Sequence, residues 1–200
     1  MLKVSKTVNG GFAHADRRAS LVGVQMSVSP EIIQNASHGE RDAQRVIFET
    51  FRDRIYQLVW RIVGAGDADD VAQDTFVRVF EKLHQFRHES ELGTWVHRIA
   101  VNQSLKHLNR RKRTASCLLN EDHSAVRDLS DTTDTKELVS LAMSRINPEL
   151  RSVLQLKEIG ELSYSQIAEI VEIPAGTVGS RLNRARKEFK DQLVALGWES

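Results

Sequence analysis

From Arg181 to Lys190 five basic residues (Arg181, Arg184, Arg186, Lys187, Lys190) meet a single acid, Glu188. At helical spacing, Val178, Leu182, Ala185 and Phe189 share one side, while Thr177, Ser180, Arg181 and Arg184 share another. That division suits a helix that reads DNA. An apolar back anchors it, and hydroxyls and guanidiniums reach phosphates and base edges in the major groove. The plain alternative is a solvated basic face on an ordinary bundle helix, and the preceding residues weigh against it. Ser163 and Gln166 form a capping box that opens a short helix burying Ile167, Ala168 and Val171. A tight turn through Glu172-Ile173 then leads to Pro174. Two short helices joined in this way outline a helix-turn-helix.

A second constellation divides its charge along the chain. Asp67, Asp69, Asp70 and Asp74 occur with no base between them, and Asp70, Gln73, Asp74 and Val77 share a helical face. DNA would repel that face, so a basic protein surface is its natural partner. The plain reading is a helix N-terminus whose acids suit the dipole, which fits Asp67 and Asp69 better than Asp74. From Thr94 to Arg113 the sign inverts: Arg98, Lys106, Arg110, Arg111, Lys112 and Arg113 meet no acid. Trp95 and the amides of Asn102 and Gln103 lie among these bases. Such a mixture offers charge for phosphates, a ring for stacking and amides for base edges. Trp95 serves equally well as a core residue.

Catalytic chemistry finds no comparable support. The chain has no Walker loop, no H-E-x-x-H and no paired-cysteine motif. Gly64 and Gly66 follow no strand and lack a third glycine, so they do not form a dinucleotide loop. His84 and His88 stand four apart at helical spacing, but no third metal ligand accompanies them. Cys117 is alone and has no disulfide partner within the chain. No enzymatic activity, metal or cofactor is expected.

The elements that must carry these residues are helical. Of 200 residues, 40% are apolar, 28% charged and 6% aromatic, with three prolines and a net charge of +1. That composition favours an all-α fold over a sheet. Residues 1–28 show no sustained period and read as a disordered extension. Pro30 opens a short helix over Glu31 to Ser37, closed by Gly39. Ile47, Phe48, Phe51, Ile55, Leu58, Val59 and Ile62 mark a long helix that ends at Gly64. Asp67 is placed to cap the next helix, with Ala72, Phe76, Val79, Phe80 and Leu83 as its stripe. A loop over Arg87 to Gly93 precedes a helix from Thr94 into Arg113. Residues 114–135 are polar and acidic and read as a flexible linker; helical pattern resumes at Leu138. Asn147-Pro148 starts a helix burying Leu150, Val153 and Leu154, and Gly160 stops it. Two small helical domains result, spanning 29–113 and 136–200. No apolar run reaches the ~18 residues of a membrane span and no secretory signal opens the chain, so a cytoplasmic protein without membrane insertion is expected.

With these residues assembled, the chain resembles an extracytoplasmic-function sigma factor of the sigma-70 family. Residues 69–102, DDVAQDTFVRVFEKLHQFRHESELGTWVHRIAVN, are similar to sigma region 2, and residues 162–189, LSYSQIAEIVEIPAGTVGSRLNRARKEF, to region 4. The resemblance implies a region 2 helical bundle and a region 4 helix-turn-helix serving promoter recognition. It implies core RNA polymerase as partner, through the β′ clamp helices and the β flap, along with promoter DNA and an anti-sigma factor. Asp70, Gln73, Asp74 and Val77 would dock on the polymerase. The loop Arg87–Gly93 would cradle a flipped −10 base, beside a helix carrying Trp95, Arg98, Asn102, Lys106, Arg110 and Arg111. Thr177, Ser180, Arg181 and Arg184 would enter the −35 major groove, and the acidic linker would thread through the polymerase. Gly179 stands where the family usually has a lysine or arginine, Asn183 is often bulkier, and residues 1–28 have no counterpart in the short family core. A stand-alone helix-turn-helix regulator is the alternative. It would need neither the acid face nor the second basic surface. A recombinase-type enzyme would need a nucleophile or metal-binding carboxylates that are not apparent.

Overall fold

The computed structural model describes residues 28–118, 135–159 and 162–198. Among these the chain forms eight α-helices and one 3-10 turn, with no strand. The expected N-terminal extension, the body of the linker and the stop at Gly160 lie outside the described residues.

Helix α1 (Pro30–Ser37) starts as its sequence dictates. The Ser29 hydroxyl accepts from the Ile32 amide at 3.3 Å, Pro30 occupies the first turn, and Gly39 takes φ +90° just beyond the end. Helix α2 (Arg41–Val63) supplies the central stripe. Ile47, Ile55, Leu58, Val59 and Ile62 are fully buried, and Phe51 nearly so. Gly64 closes α2 at φ +91°, a conformation most residues adopt only under strain. Helix α3 (Ala68–Lys82) packs across α2, where Phe76 meets Phe48 edge-on at 4.8 Å. Truncating a side chain as enclosed as Leu58 to alanine would cost about 2–5 kcal/mol.

Three details of this half differ from the sequence reading. Asp67 stands at the N-cap of α3, yet its carboxylate makes no capping bond and turns to the next long helix instead. His84 and His88 do not share a helix: His84 lies in the 3-10 turn Leu83–Gln85, and His88 sits in a loop at φ +58°. Helix α4 (Leu92–Leu118) begins two residues before Thr94 and runs beyond Arg113. Leu92 and Gly93 thus belong to its first turn, and its far end extends into the segment read as linker. Leu92 starts the helix early because its side chain is buried in the core.

The C-terminal half comprises α5 (Thr135–Arg145), α6 (Pro148–Ile159), α7 (Tyr164–Ile170) and α8 (Ala175–Ala195). The capping box opening α7 is formed in both directions: Ser163 Oγ accepts from the Gln166 amide at 3.2 Å, and Gln166 Oε1 accepts from the Ser163 amide at 2.9 Å. Ile170 fills the place expected of Val171, which is only half-buried. Glu172, at φ +55°, makes the turn into α8.

Helix α6 is buried all round. Leu150 to Leu156, seven successive residues, are all buried, and Arg151 is among them. A helix enclosed on every side must have neighbours on every side. It packs on α8 within its own half and on α2 of the other, while α7 lies against α4. One continuous apolar core therefore runs through both helical units.

His97 is the buried histidine of α4, with Nδ1 2.6 Å from the Gly93 carbonyl one turn earlier. Burial, the largest influence, pushes its pKa below the usual 6.5. The Gly93 carbonyl opposes that shift and the nearby Arg54 charge reinforces it. The folded protein thus prefers neutral His97, whereas the unfolded chain takes a proton near pH 6.5. Stability is complete above that pH and falls as pH drops through it toward the depressed folded value. Thermal unfolding should show a declining midpoint between pH 7 and 5.5, and His97→Gln should make the decline shallower. An identical pH slope in a folded His97→Gln protein would remove His97 as its source.

Candidate nucleic-acid interface

Between the 3-10 turn and α4 lies a cleft of about 260 Å³, lined by Phe86, Arg87, Glu89, Ser90, Trp95 and Arg98, with Gln85 at one edge. Its walls are held by rings. Phe86 lies between His88, 4.7 Å away by centroid, and Trp95, 5.5 Å away on the other side. Trp95 is only 8% exposed, so it is a core residue, and it also lines the cleft. The space is small and polar beside ordinary small-molecule pockets of ~300–1,000 Å³. One small polar or planar group, met by the guanidiniums of Arg87 and Arg98 beside the edges of Phe86 and Trp95, suits it better than an extended substrate.

Along α4, Arg98, Asn102, Lys106 and Arg110 recur every four residues and extend that cleft as a stripe. Arg98 is half-buried at the cleft; the other three are exposed. Arg111, one residue further on and 68% exposed at its side chain, is also paired within the protein. Its Nη1 donates to Asp67 Oδ2 at 2.5 Å, joining α4 to the start of α3. His107 Nε2 lies 3.2 Å from the same oxygen without hydrogen-bond alignment. The carboxylate that failed to cap α3 thus anchors the basic helix instead.

On α3, Asp70, Gln73, Asp74 and Val77 are all exposed, as their spacing predicts. Val77, 51% exposed, is an apolar side chain amid acids. Neither Asp70 nor Asp74 forms an ion pair among the described residues. Asp69 is turned aside to the Tyr56 hydroxyl of α2. Burial first, then the charge and hydrogen bond of Asp69, push the Tyr56 pKa up. The free part of the acidic face is therefore the part that points away from the helix bundle.

On α8, Val178, Leu182 and Ala185 are fully buried and hold the opposite face outward. Thr177 and Arg181 are half-buried; Ser180 and Arg184 are exposed. Ser180 Oγ donates to the Thr177 carbonyl at 2.8 Å, which leaves its lone pairs to accept from outside. Arg184 Nε stands 3.5 Å from Glu188 Oε1, a loose pairing that a phosphate can displace. Ser180, Arg181 and Arg184 line a second cleft with Asn147, Glu149 and Leu150. Sequence reasoning missed Phe86 and Glu169. Phe86 lies between the apolar stripe of α3 and the loop that starts at Arg87, and Glu169, on α7, lines the cleft beside α4 through a contact between the two halves.

Comparison with known proteins gives a consistent picture. Residues 47–114 match the family model for sigma-70 region 2, and residues 136–189 match that for sigma-70 region 4. The chain is 31% identical over 185 residues to the ECF RNA polymerase sigma factor SigW of Bacillus subtilis, covering 82% of this chain and 96% of that one. It is 30% identical to the ECF RNA polymerase sigma-E factor of Haemophilus influenzae, over 82% of this chain and 95% of the other. Its fold is similar to that of CnrH in complex with the cytosolic domain of CnrY, with a TM-score of 0.61 and 23% identity over 82% of this chain and 96% of that one. It is similar again to the sigma factor RpoE in complex with the anti-sigma factor NepR from Bartonella quintana, with a TM-score of 0.61 and 20% identity over 74% and 95% of the two chains.

Gly179 generates a test of the α8 surface. A Cβ built there would stand 3.8 Å from the Tyr164 ring, an ordinary contact, and its φ is not one reserved for glycine. Nothing within the protein requires glycine at this position. Gly179→Ala should therefore raise the unfolding free energy by about 1 kcal/mol, measured by urea denaturation. A less stable Gly179→Ala protein would mean that the Tyr164 contact is too tight for a side chain.

Proposed function

We infer that these surfaces serve promoter-directed transcription, because this chain belongs to the extracytoplasmic-function sigma factors of the sigma-70 family. Members of that family are non-enzymatic initiation factors. In our reading the α2–α4 bundle, within residues 29–113 and the extended end of α4, is region 2, and residues 136–200 form region 4. Asp70, Gln73, Asp74 and Val77 dock on the β′ clamp helices of core RNA polymerase, four exposed side chains offering negative charge around one apolar contact. The cleft bounded by Phe86, Arg87, Trp95 and Arg98 receives a base flipped from the −10 element. Polar contacts from Arg87 and Arg98, with the ring edges beside them, would have to offset the few kcal/mol that unstacking costs. Asn102, Lys106 and Arg110 carry the adjoining strand, while Arg111 holds α4 to α3 through Asp67. Thr177, Ser180, Arg181 and Arg184 engage the −35 major groove, and region 4 also meets the β flap.

The observation that carries this reading is the placement of an unpaired acid face and a basic stripe on the adjacent helices α3 and α4 of one bundle. A stand-alone regulator needs only α7 and α8. Acting where polymerase and DNA are, the protein would work in the cytoplasm. No helix among the described residues is long and apolar enough to cross a membrane. An anti-sigma factor, the partner type bound to RpoE in the Bartonella quintana complex, would restrain it.

Transcription from promoter DNA with purified core polymerase is the direct test. Asp70→Arg with Asp74→Arg should abolish holoenzyme formation while leaving the helical fold intact, since exposed substitutions seldom cost more than about 0.5 kcal/mol. Normal polymerase binding by that folded variant would remove the docking assignment. Arg181→Ala or Arg184→Ala should weaken −35 binding by ~1–3 kcal/mol at one base pair if the side chain reads guanine. A uniform loss with a shallower salt dependence would mark a phosphate contact.

A further inference from the structure

Helix α8 turns one row of residues directly away from the core. Gly176, Ser180, Asn183 and Lys187 each stand two residues before a member of the row Val178, Leu182, Ala185 and Phe189. Two residues turn a helix by about 200°, so the first row lies almost opposite the second. Its four members are all exposed, whereas Thr177 and Arg181 at its flank are half-buried. Asn183 is the member that the fold does not account for. Asparagine suits helix caps and turns, where its amide bonds the backbone, and it is a poor choice in the middle of a helix. Among the described residues the Asn183 amide has no hydrogen-bond partner. Its neighbours in the row are less able to tell bases apart. Gly176 has no side chain, Ser180 Oγ already donates to the Thr177 carbonyl, and Lys187 offers a point charge.

We propose that Asn183 is a specificity-determining residue of this chain, its free amide reading one adenine of the −35 element from the outermost row of α8. A carboxamide presents a donor and an acceptor side by side. Adenine shows the matching pair in the major groove, the N7 acceptor and the N6 amino donor, so two hydrogen bonds form at once. Guanine shows two acceptors there, and one of them would face the amide carbonyl. Cytosine and thymine each offer a single polar group. Gly176 and Ser180, earlier in the row, are shorter than Asn183, so neither holds the amide away from the groove floor. Arg181 and Arg184 stand to one side of the row and supply charge for phosphates or a guanine beside that adenine. The groove that α8 enters rests on the function proposed above; the outward position and free amide of Asn183 rest on the helix alone.

The test uses the full chain assembled with core polymerase and duplex promoter DNA randomised through the −35 element, with bound sequences counted. The wild-type holoenzyme should favour adenine at one position, and Asn183→Ala should lose that preference while keeping those at the other positions. A bidentate contact corresponds to a preference of roughly 5- to 150-fold. Asn183→Asp exchanges the amide donor for an acceptor, so its preference at that position should move from adenine toward cytosine. Because the ratio between bases is read, a general loss from the added negative charge cancels. Replacing the favoured adenine by 7-deazaadenine removes the N7 acceptor alone. That change should weaken binding of the wild-type holoenzyme and leave Asn183→Ala unaffected. All these substitutions are at an exposed position, so the fold is retained. An unchanged base preference in Asn183→Ala would overturn the proposal. So would a uniform loss across sequences, the mark of a phosphate contact, or a 7-deazaadenine effect equal in both proteins. A wild-type holoenzyme indifferent to every base of the −35 element would instead strike the placement of α8 in that groove, and Asn183 with it.

Discussion

The buried stripe of α2 is the constraint on which the rest of the structure depends. Ile47, Phe51, Ile55, Leu58, Val59 and Ile62 are all buried and take one helix through the centre of the bundle. Helices α1, α3 and α4 are oriented by packing on that stripe, and α6 of the other unit leans on the same helix. Burial of each large side chain favours the folded state by roughly 1.5–3 kcal/mol, so the stripe outweighs any single surface contact. The orientation of α3 and α4 on α2 is what sends the acids of one outward and draws the bases of the other into a line.

Charge is then distributed so that opposite surfaces do not cancel one another. A protein of net charge +1 carries an acid face and a basic stripe on neighbouring helices. Were their outward residues to pair, both would be lost as binding surfaces. Pairing is confined to their roots. Asp67 takes Arg111, with His107 alongside, and Asp69 takes the Tyr56 hydroxyl. These contacts fix the two helices while Asp70, Asp74, Lys106 and Arg110 stay exposed. Exposed ion pairs contribute little to stability, and the value of Asp67–Arg111 lies in geometry.

Helices α4 and α8 are supported differently. On α8 the apolar back is continuous, and the polar front projects from a fully buried row of Val178, Leu182 and Ala185. On α4 the back is interrupted by His97 and Ser104, buried polar groups whose hydrogen bonds go to carbonyls one turn earlier in the same helix. Internal satisfaction of that kind lets a polar side chain sit in a core without seeking a partner on another helix. The cleft at the start of α4 gains its shape from Phe86 and Trp95, one from a loop and one from the helix, meeting ring to ring.

Much of this was legible in the chain itself. Period-3.6 apolar spacing marked the helices, the Ser163–Gln166 box opened α7, and the division of α8 into apolar and basic faces was visible in its spacing. The exposed residues of α3 followed from spacing alone. These are local properties, set by contacts within a few residues of one another. What the sequence left undecided involved partners distant along the chain. Asp67 is as good an N-cap as any aspartate until Arg111, 44 residues on, arrives beside it. Arg151 looks like a surface cation until the end of α2, 89 residues earlier, supplies the carbonyl that buries it. Glu169 is an ordinary exposed acid on α7 until packing sets it at a cleft of α4. Helical periodicity tells which side of a segment is buried, because apolar residues recur with the turn of the helix. It carries no information about which other segment covers that side. That choice was left to the tertiary structure, where long-range packing and the need to satisfy buried polar groups are resolved together.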